Sequence, residues 1–154
     1  YRDTWLAEGF ASFLSIHHPA TALSQPAIRG TVLAAWQQEI QSGRKFLFGQ
    51  GQEAGPIALG TRVLSSATPG DHQAILYMKG AWVLERLRCA LRGSDGSDAR
   101  FESVLRTFAQ RYAGLPARTE DFLRVAEEVS GTDLHPFFQR YVYGTEELDF
   151  TPCP

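Results

Sequence analysis

Apolar residues recur at helical spacing along most of this chain, and glycine or proline separates the stretches that carry the pattern. The first stretch predicts a helix that ends near His18, because Pro19 cannot continue the hydrogen-bonding pattern. Its apolar stripe, at spacings of three, four and seven residues, consists of Leu6, Phe10, Phe13, Leu14 and His17.

The same periodicity predicts five further helices, which together indicate an all-α fold in a single domain of residues 1–154. They are expected near 26–42, 72–92, 98–112, 119–130 and 133–143. Residues 44–70 have repeated glycines and no sustained period, so we expect a long loop there, a feature typical of binding loops and lids. The tail to Pro154 is expected to be extended.

The third of the six helices has a clear core stripe, formed by Leu76, Gly80, Val83, Leu84, Leu87 and Leu91. Gly80 weakens a helix unless another element packs closely against it. Tyr77 lies one step off the stripe, where a tyrosine at the edge of the core is the simplest interpretation. Three arginines of this helix are expected to form a solvated face: Arg86, Arg88 and Arg92.

Composition is that of an ordinary globular domain, with 44% hydrophobic and 21% charged residues in 154. The formal net charge of −2 lacks the basic footprint of nucleic-acid binding, so no nucleic-acid partner is expected. No apolar run approaches the ~18 residues of a membrane span. Cys89 falls in a helix and Cys153 in a proline-flanked tail, which favours two free thiols over a bridge. The sequence does not indicate a compartment.

Glu8 points away from the apolar stripe of the first helix, beside Trp5 and Ser12. A carboxylate so early in a helix can simply complement the helix dipole, with Asp3 or Thr4 as the cap. A functional role for Glu8 therefore needs further support.

Three segments supply such support, in order along the chain. They are W-L-A-E-G-F-A at 5–11, Y-M-K-G-A at 77–81 and S-G-T-D-L-H-P-F-F-Q-R-Y at 130–141. The set resembles the aminopeptidase N family of zinc metallopeptidases, although Ala7 stands where that family often has Asn, and Tyr141 where Trp is common.

The resemblance implies that the chain is the helical lobe of a thermolysin-like catalytic domain that hydrolyses peptides with zinc-activated water. It implies that Glu8 is the third protein ligand of the zinc and that Tyr77 donates a hydrogen bond to the oxyanion. The other two ligands and the general base lie in an H-E-x-x-H motif. That motif is absent, since none of the four histidines, His17, His18, His72 and His135, are four residues apart.

The chain is therefore expected to be a fragment whose partner is the upstream half of its own catalytic domain. Alone, it should neither retain catalytic zinc nor hydrolyse substrates. The alternative is a non-catalytic helical interaction or scaffold domain derived from such a peptidase. Retention of both Glu8 and Tyr77 argues against that alternative, because a scaffold needs neither.

Overall fold

The computed structural model describes residues 2–42, 55–63, 71–151 and 153, and these ranges are helical with no strand, which confirms the predicted all-α class. None of the helices in these ranges is both long and apolar enough to cross a membrane. We number six helices. They are α1 (Thr4–Ala22), α2 (Pro26–Ser42), α3 (Asp71–Gln73, a π-helical turn Ala74–Lys79, and Gly80–Leu91), α4 (Ala99–Arg111), α5 (Thr119–Ser130) and α6 (His135–Tyr141).

The structure differs from the prediction at the end of α1 and within the predicted loop. Helix α1 continues through Pro19 to Ala22. A proline here removes the amide that would bind the Ser15 carbonyl, and because Ser15 is exposed, water can replace that bond. The predicted loop also contains a 3-10 helical segment, Ile57–Val63, which bends at Gly60 with φ 59. The other parts of the 44–70 loop lie outside the described residues.

Helix α3 forms the centre of the core, and the apolar stripe predicted for it is buried throughout. Four phenylalanines, one from each of four helices, extend the core away from α3. The centroid of the Phe122 ring lies 5.0 to 6.0 Å from those of the other three. These rings belong to Phe10, Phe108, Phe122 and Phe138. Burial of large aromatic surfaces of this kind is a main source of stability in a domain of this size.

A polar contact joins the start of α1 to the start of α5. Asp3 precedes α1 with φ 49 but makes no side-chain cap there, which contradicts its expected role. Instead its Oδ1 accepts hydrogen bonds from the backbone N–H of Thr119 at 2.9 Å and from the Thr119 hydroxyl at 2.6 Å. Trp5 Nε1 donates to that hydroxyl oxygen at 2.9 Å. The Asp3 charge thus complements the dipole of α5.

Arg88 is buried rather than part of a solvated face, so that prediction is wrong for this residue. Its Nε donates to Glu85 Oε2 at 3.0 Å, and its Nη1 donates to Asp98 Oδ2 at 2.7 Å. Two carboxylates compensate the guanidinium, which makes its burial possible. Arg86 remains partly exposed and pairs with Asp149 at 2.9 Å.

Cys89 and Cys153 form a disulfide with their Cα atoms 5.6 Å apart, so the prediction of two free thiols is wrong. The tail does not extend away from α3 but returns to it, and the Phe150 ring packs edge-to-face on Trp82 at 5.0 Å. The bridge spans 64 residues, and closing a loop of that length in the unfolded chain corresponds to about 4 kcal/mol in the chain-entropy treatment.

Replacing Thr119 by valine should destabilise the fold, because it keeps the side-chain shape but leaves Trp5 Nε1 without an acceptor and Asp3 with one donor fewer. An unsatisfied buried polar group costs about 1 to 3 kcal/mol, so we expect the free energy of unfolding to fall by about 2 to 4 kcal/mol. Denaturant titration measures the change. Thr119→Ser retains the hydroxyl and should lose no more than about 1 kcal/mol; equal losses in the two variants would show that the hydroxyl is unimportant.

Candidate functional site

Helices α1 and α3 touch through their backbones at Gly9 and Gly80. A Cβ atom on Gly9 would lie 3.0 Å from the carbonyl carbon of Gly80, and a Cβ on Gly80 would lie 3.1 Å from the Gly9 Cα. Contacts this short exclude a side chain at either position unless the helices move apart. The sequence left open what, if anything, packs against Gly80, and the structure places Gly9 there.

This crossing brings Glu8 and Tyr77 together, each the residue predicted from its motif. The Tyr77 hydroxyl donates a hydrogen bond to the Glu8 carboxylate, and both side chains are half-buried. That hydrogen bond raises the pKa of Tyr77, and burial and the negative charge of Glu8 raise it further. The phenol therefore keeps its proton at neutral pH and remains a hydrogen-bond donor.

Tyr77 lies in the π-helical turn of α3, and this turn places a histidine beside it. The His72 ring stands edge-on to the Tyr77 ring with centroids 6.2 Å apart. Sequence reasoning missed this contact because residues five apart in a regular α-helix point about 140° away from each other. Single π-helical turns inside α-helices occur frequently at functional sites.

Two groups in the described part of the chain have three potential metal-ligand atoms within 4.8 Å of one another. They are Glu85, Cys89 and Cys153, and Glu127, Asp133 and His135. The sulfurs of the first group are joined in the disulfide and offer no thiolate. In the second, Glu127 Oε1 accepts a hydrogen bond from the backbone N–H of Leu134 and lies 2.8 Å from His135 Nδ1, so its atoms are engaged at the start of α6.

Neither group includes Glu8, which therefore stands as one potential ligand. Catalytic zinc sites use three protein ligands and leave the fourth position open. Among the described residues, Glu8 offers one carboxylate, and no histidine lies with it in a group of potential ligand atoms. They do not by themselves form a zinc site, and a complete one would need ligands from elsewhere in the protein.

Comparison with curated proteins supports the relationship that the motifs suggest. The chain is 34% identical over 130 residues to Aminopeptidase M1-C of Oryza sativa subsp. japonica, a match that covers 82% of this chain. It spans only 13% of the length of that relative. No protein-family model matches the chain, and no solved structure matches it. The similarity supports a relationship to one part of an aminopeptidase.

Replacing Gly9 by alanine should weaken the fold, because the added methyl group would press on the Gly80 backbone. Overpacking of this kind typically costs about 1 to 3 kcal/mol, and we expect that loss in the free energy of unfolding measured with denaturant.

Gly30→Ala is the matched control, since Gly30 is also within a helix and a Cβ there would meet nothing within 4 Å. This control should be neutral or more stable by up to about 1 kcal/mol, because alanine favours the helix. If Gly9→Ala behaves like the control, the two helices do not depend on backbone contact.

Proposed function

We propose that this chain is part of a zinc-dependent aminopeptidase, in which Glu8 is a zinc ligand and Tyr77 stabilises the oxyanion of the peptide-hydrolysis intermediate. One observation carries the proposal: residues from two separate motifs, predicted to act at one site, share a hydrogen bond at the α1–α3 crossing. The similarity to part of an aminopeptidase supports the same assignment.

The position of Glu8 suits a ligand better than a helix-dipole role alone. Its side chain is half-buried next to the crossing, where Tyr77 fixes its orientation with a single hydrogen bond. A carboxylate has about four acceptor positions, so it can bind a cation while accepting that bond. In the proposed enzyme the upstream half of the catalytic domain contributes two histidines and a general base. A zinc ion held there would lower the pKa of a bound water and so supply the nucleophile.

Tyr77 meets the chemical requirement for an oxyanion donor. Its raised pKa keeps the hydroxyl protonated, and the Glu8 hydrogen bond keeps it pointed at the candidate ligand. Because a phenol has a single O–H, this donor would turn from Glu8 to the oxyanion as negative charge develops there. The substrate class proposed for this site is a peptide.

The proposal predicts that Glu8→Gln, made in the full-length protein that contains this chain, lowers zinc content and peptidase activity together. Loss of a charged ligand weakens the site and changes the charge that sets the acidity of the bound water. Metal analysis after desalting and hydrolysis of aminoacyl anilides measure the two quantities. We expect the 154-residue chain alone to retain no stoichiometric zinc.

Glu39→Gln is the matched control, since Glu39 is an exposed glutamate on α2 and should be replaceable without effect. If Glu8→Gln keeps full zinc occupancy and normal turnover, Glu8 is not a ligand and complements the helix dipole only. If the wild-type full-length protein has neither zinc nor activity, the scaffold alternative is correct.

Tyr77→Phe should lower turnover with little change in substrate affinity, because the oxyanion hydrogen bond forms mainly in the transition state. Loss of one such donor reduces the rate by about 10² to 10³, or roughly 2.7 to 4 kcal/mol. Steady-state kinetics on the full-length protein, with zinc content checked, measures this.

Tyr143→Phe provides a chemically matched control, because the Tyr143 hydroxyl also donates to a glutamate, Glu120, at 3.1 Å. It should leave turnover unchanged. Turnover of Tyr77→Phe within about threefold of wild type, less than ~1 kcal/mol, would exclude the assigned role and leave Tyr77 as a core-edge residue.

A further inference from the structure

A pocket that shares no lining residue with the Glu8–Tyr77 site opens between α2 and α3, with a volume of about 280 Å³. It has two kinds of wall. The apolar wall includes Leu33, Trp82 and Phe150, and the charged wall contains Arg29, Arg88 and Arg92 together with Glu85, whose carboxylate is bound by Arg88. A concave apolar site with a few convergent polar groups is the usual form of a small-molecule site.

The arginines of this pocket differ in their partners. Arg88 is bound by Glu85 and Asp98, the two carboxylates that neighbour it. Arg92 donates to the Gly96 carbonyl at 2.8 Å and lies 3.8 Å from Asp98. Glu85 and Asp98 are therefore both engaged by Arg88.

Arg29 has neither kind of partner among the described residues. Its Nη2 contacts His17 Nδ1 at 2.6 Å, but burial and the charge of Arg29 lower the pKa of His17 to about 4, so the ring is neutral at pH 7. Within the described ranges Arg29 has no ion pair, and its buried Nε has no hydrogen-bond partner. Burial and the neighbouring Arg88 also disfavour the Arg29 cation and lower its pKa. A bound anion would relieve both conditions.

We propose that this pocket binds a small carboxylate with an apolar body, with the carboxylate on Arg29 and the body against Trp82, Phe150 and Leu33. A carboxylate would supply an acceptor for the Arg29 Nε, which has no hydrogen-bond partner among the described residues. The volume holds a body of roughly ten non-hydrogen atoms, by comparison with ordinary ligand sites. Inorganic phosphate would bring a second negative charge and leave the apolar wall uncovered.

Isothermal titration of the 154-residue chain at pH 7 with 3-phenylpropionate tests the proposal, with the neutral amide of the same acid and inorganic phosphate as comparison ligands. The carboxylate should bind saturably, and the amide and phosphate at least about tenfold more weakly. Equal affinity for the amide would overturn the role of charge, equal affinity for phosphate would overturn the role of the apolar body, and no binding by the carboxylate would overturn the proposal.

Variants test whether the carboxylate binds in this pocket or is attracted nonspecifically by positive charges elsewhere on the protein. Arg29→Gln should weaken carboxylate binding by about 10- to 100-fold, whereas Arg100→Gln, the same charge change at an exposed position of α4, should not. Because Arg29→Gln could disturb the fold around His17, Gly30→Phe is a second test. Gly30 lines the pocket, and a Cβ there meets nothing within 4 Å, so the ring should block the pocket with Arg29 intact. Undiminished binding to Gly30→Phe, or to a folded Arg29→Gln, would contradict the assignment.

Discussion

The direct backbone contact between Gly9 and Gly80 fixes how closely α1 and α3 approach, and the arrangement of the candidate site depends on it. A single methyl group on either glycine would fall within 3.0 to 3.1 Å of the other helix. Glu8 directly precedes Gly9 and Tyr77 lies three residues before Gly80, so the two candidate site residues meet beside this backbone contact.

Most of the helical framework was predictable, because its signals are local. Apolar residues at period 3.6 defined each helix, and the α5 range of Thr119–Ser130 agrees with the predicted one because Gly131 stops it in a left-handed conformation with φ 66. The buried stripe of α3 followed from the same period. The pairing of Glu8 with Tyr77 did not follow from period or spacing, and was expected only from the resemblance of their motifs to one family.

The parts that could not be predicted depend on partners distant in sequence. From its position in the helix Arg88 was expected at the surface. It is buried because Asp98, at the start of the next helix, supplies a second carboxylate. Asp3 reads as the cap of α1, yet the amide and hydroxyl that it binds belong to Thr119. Cys89 finds its partner only because the tail folds back over α3. Each of these contacts joins groups that a one-dimensional pattern places in separate elements.

Lys79 shows where the fold departs from the rule that buried polar groups have partners. It is 1% exposed, burial lowers its pKa, and its Nζ has no hydrogen-bond partner among the described residues. A methionine of similar length would fill the same space without desolvating an amine, so stability alone does not account for a lysine here. It lies two residues from Tyr77, in the same π-helical turn. An unsatisfied buried amine is the kind of local conflict that natural proteins retain at functional sites, and its position agrees with the role proposed for Tyr77.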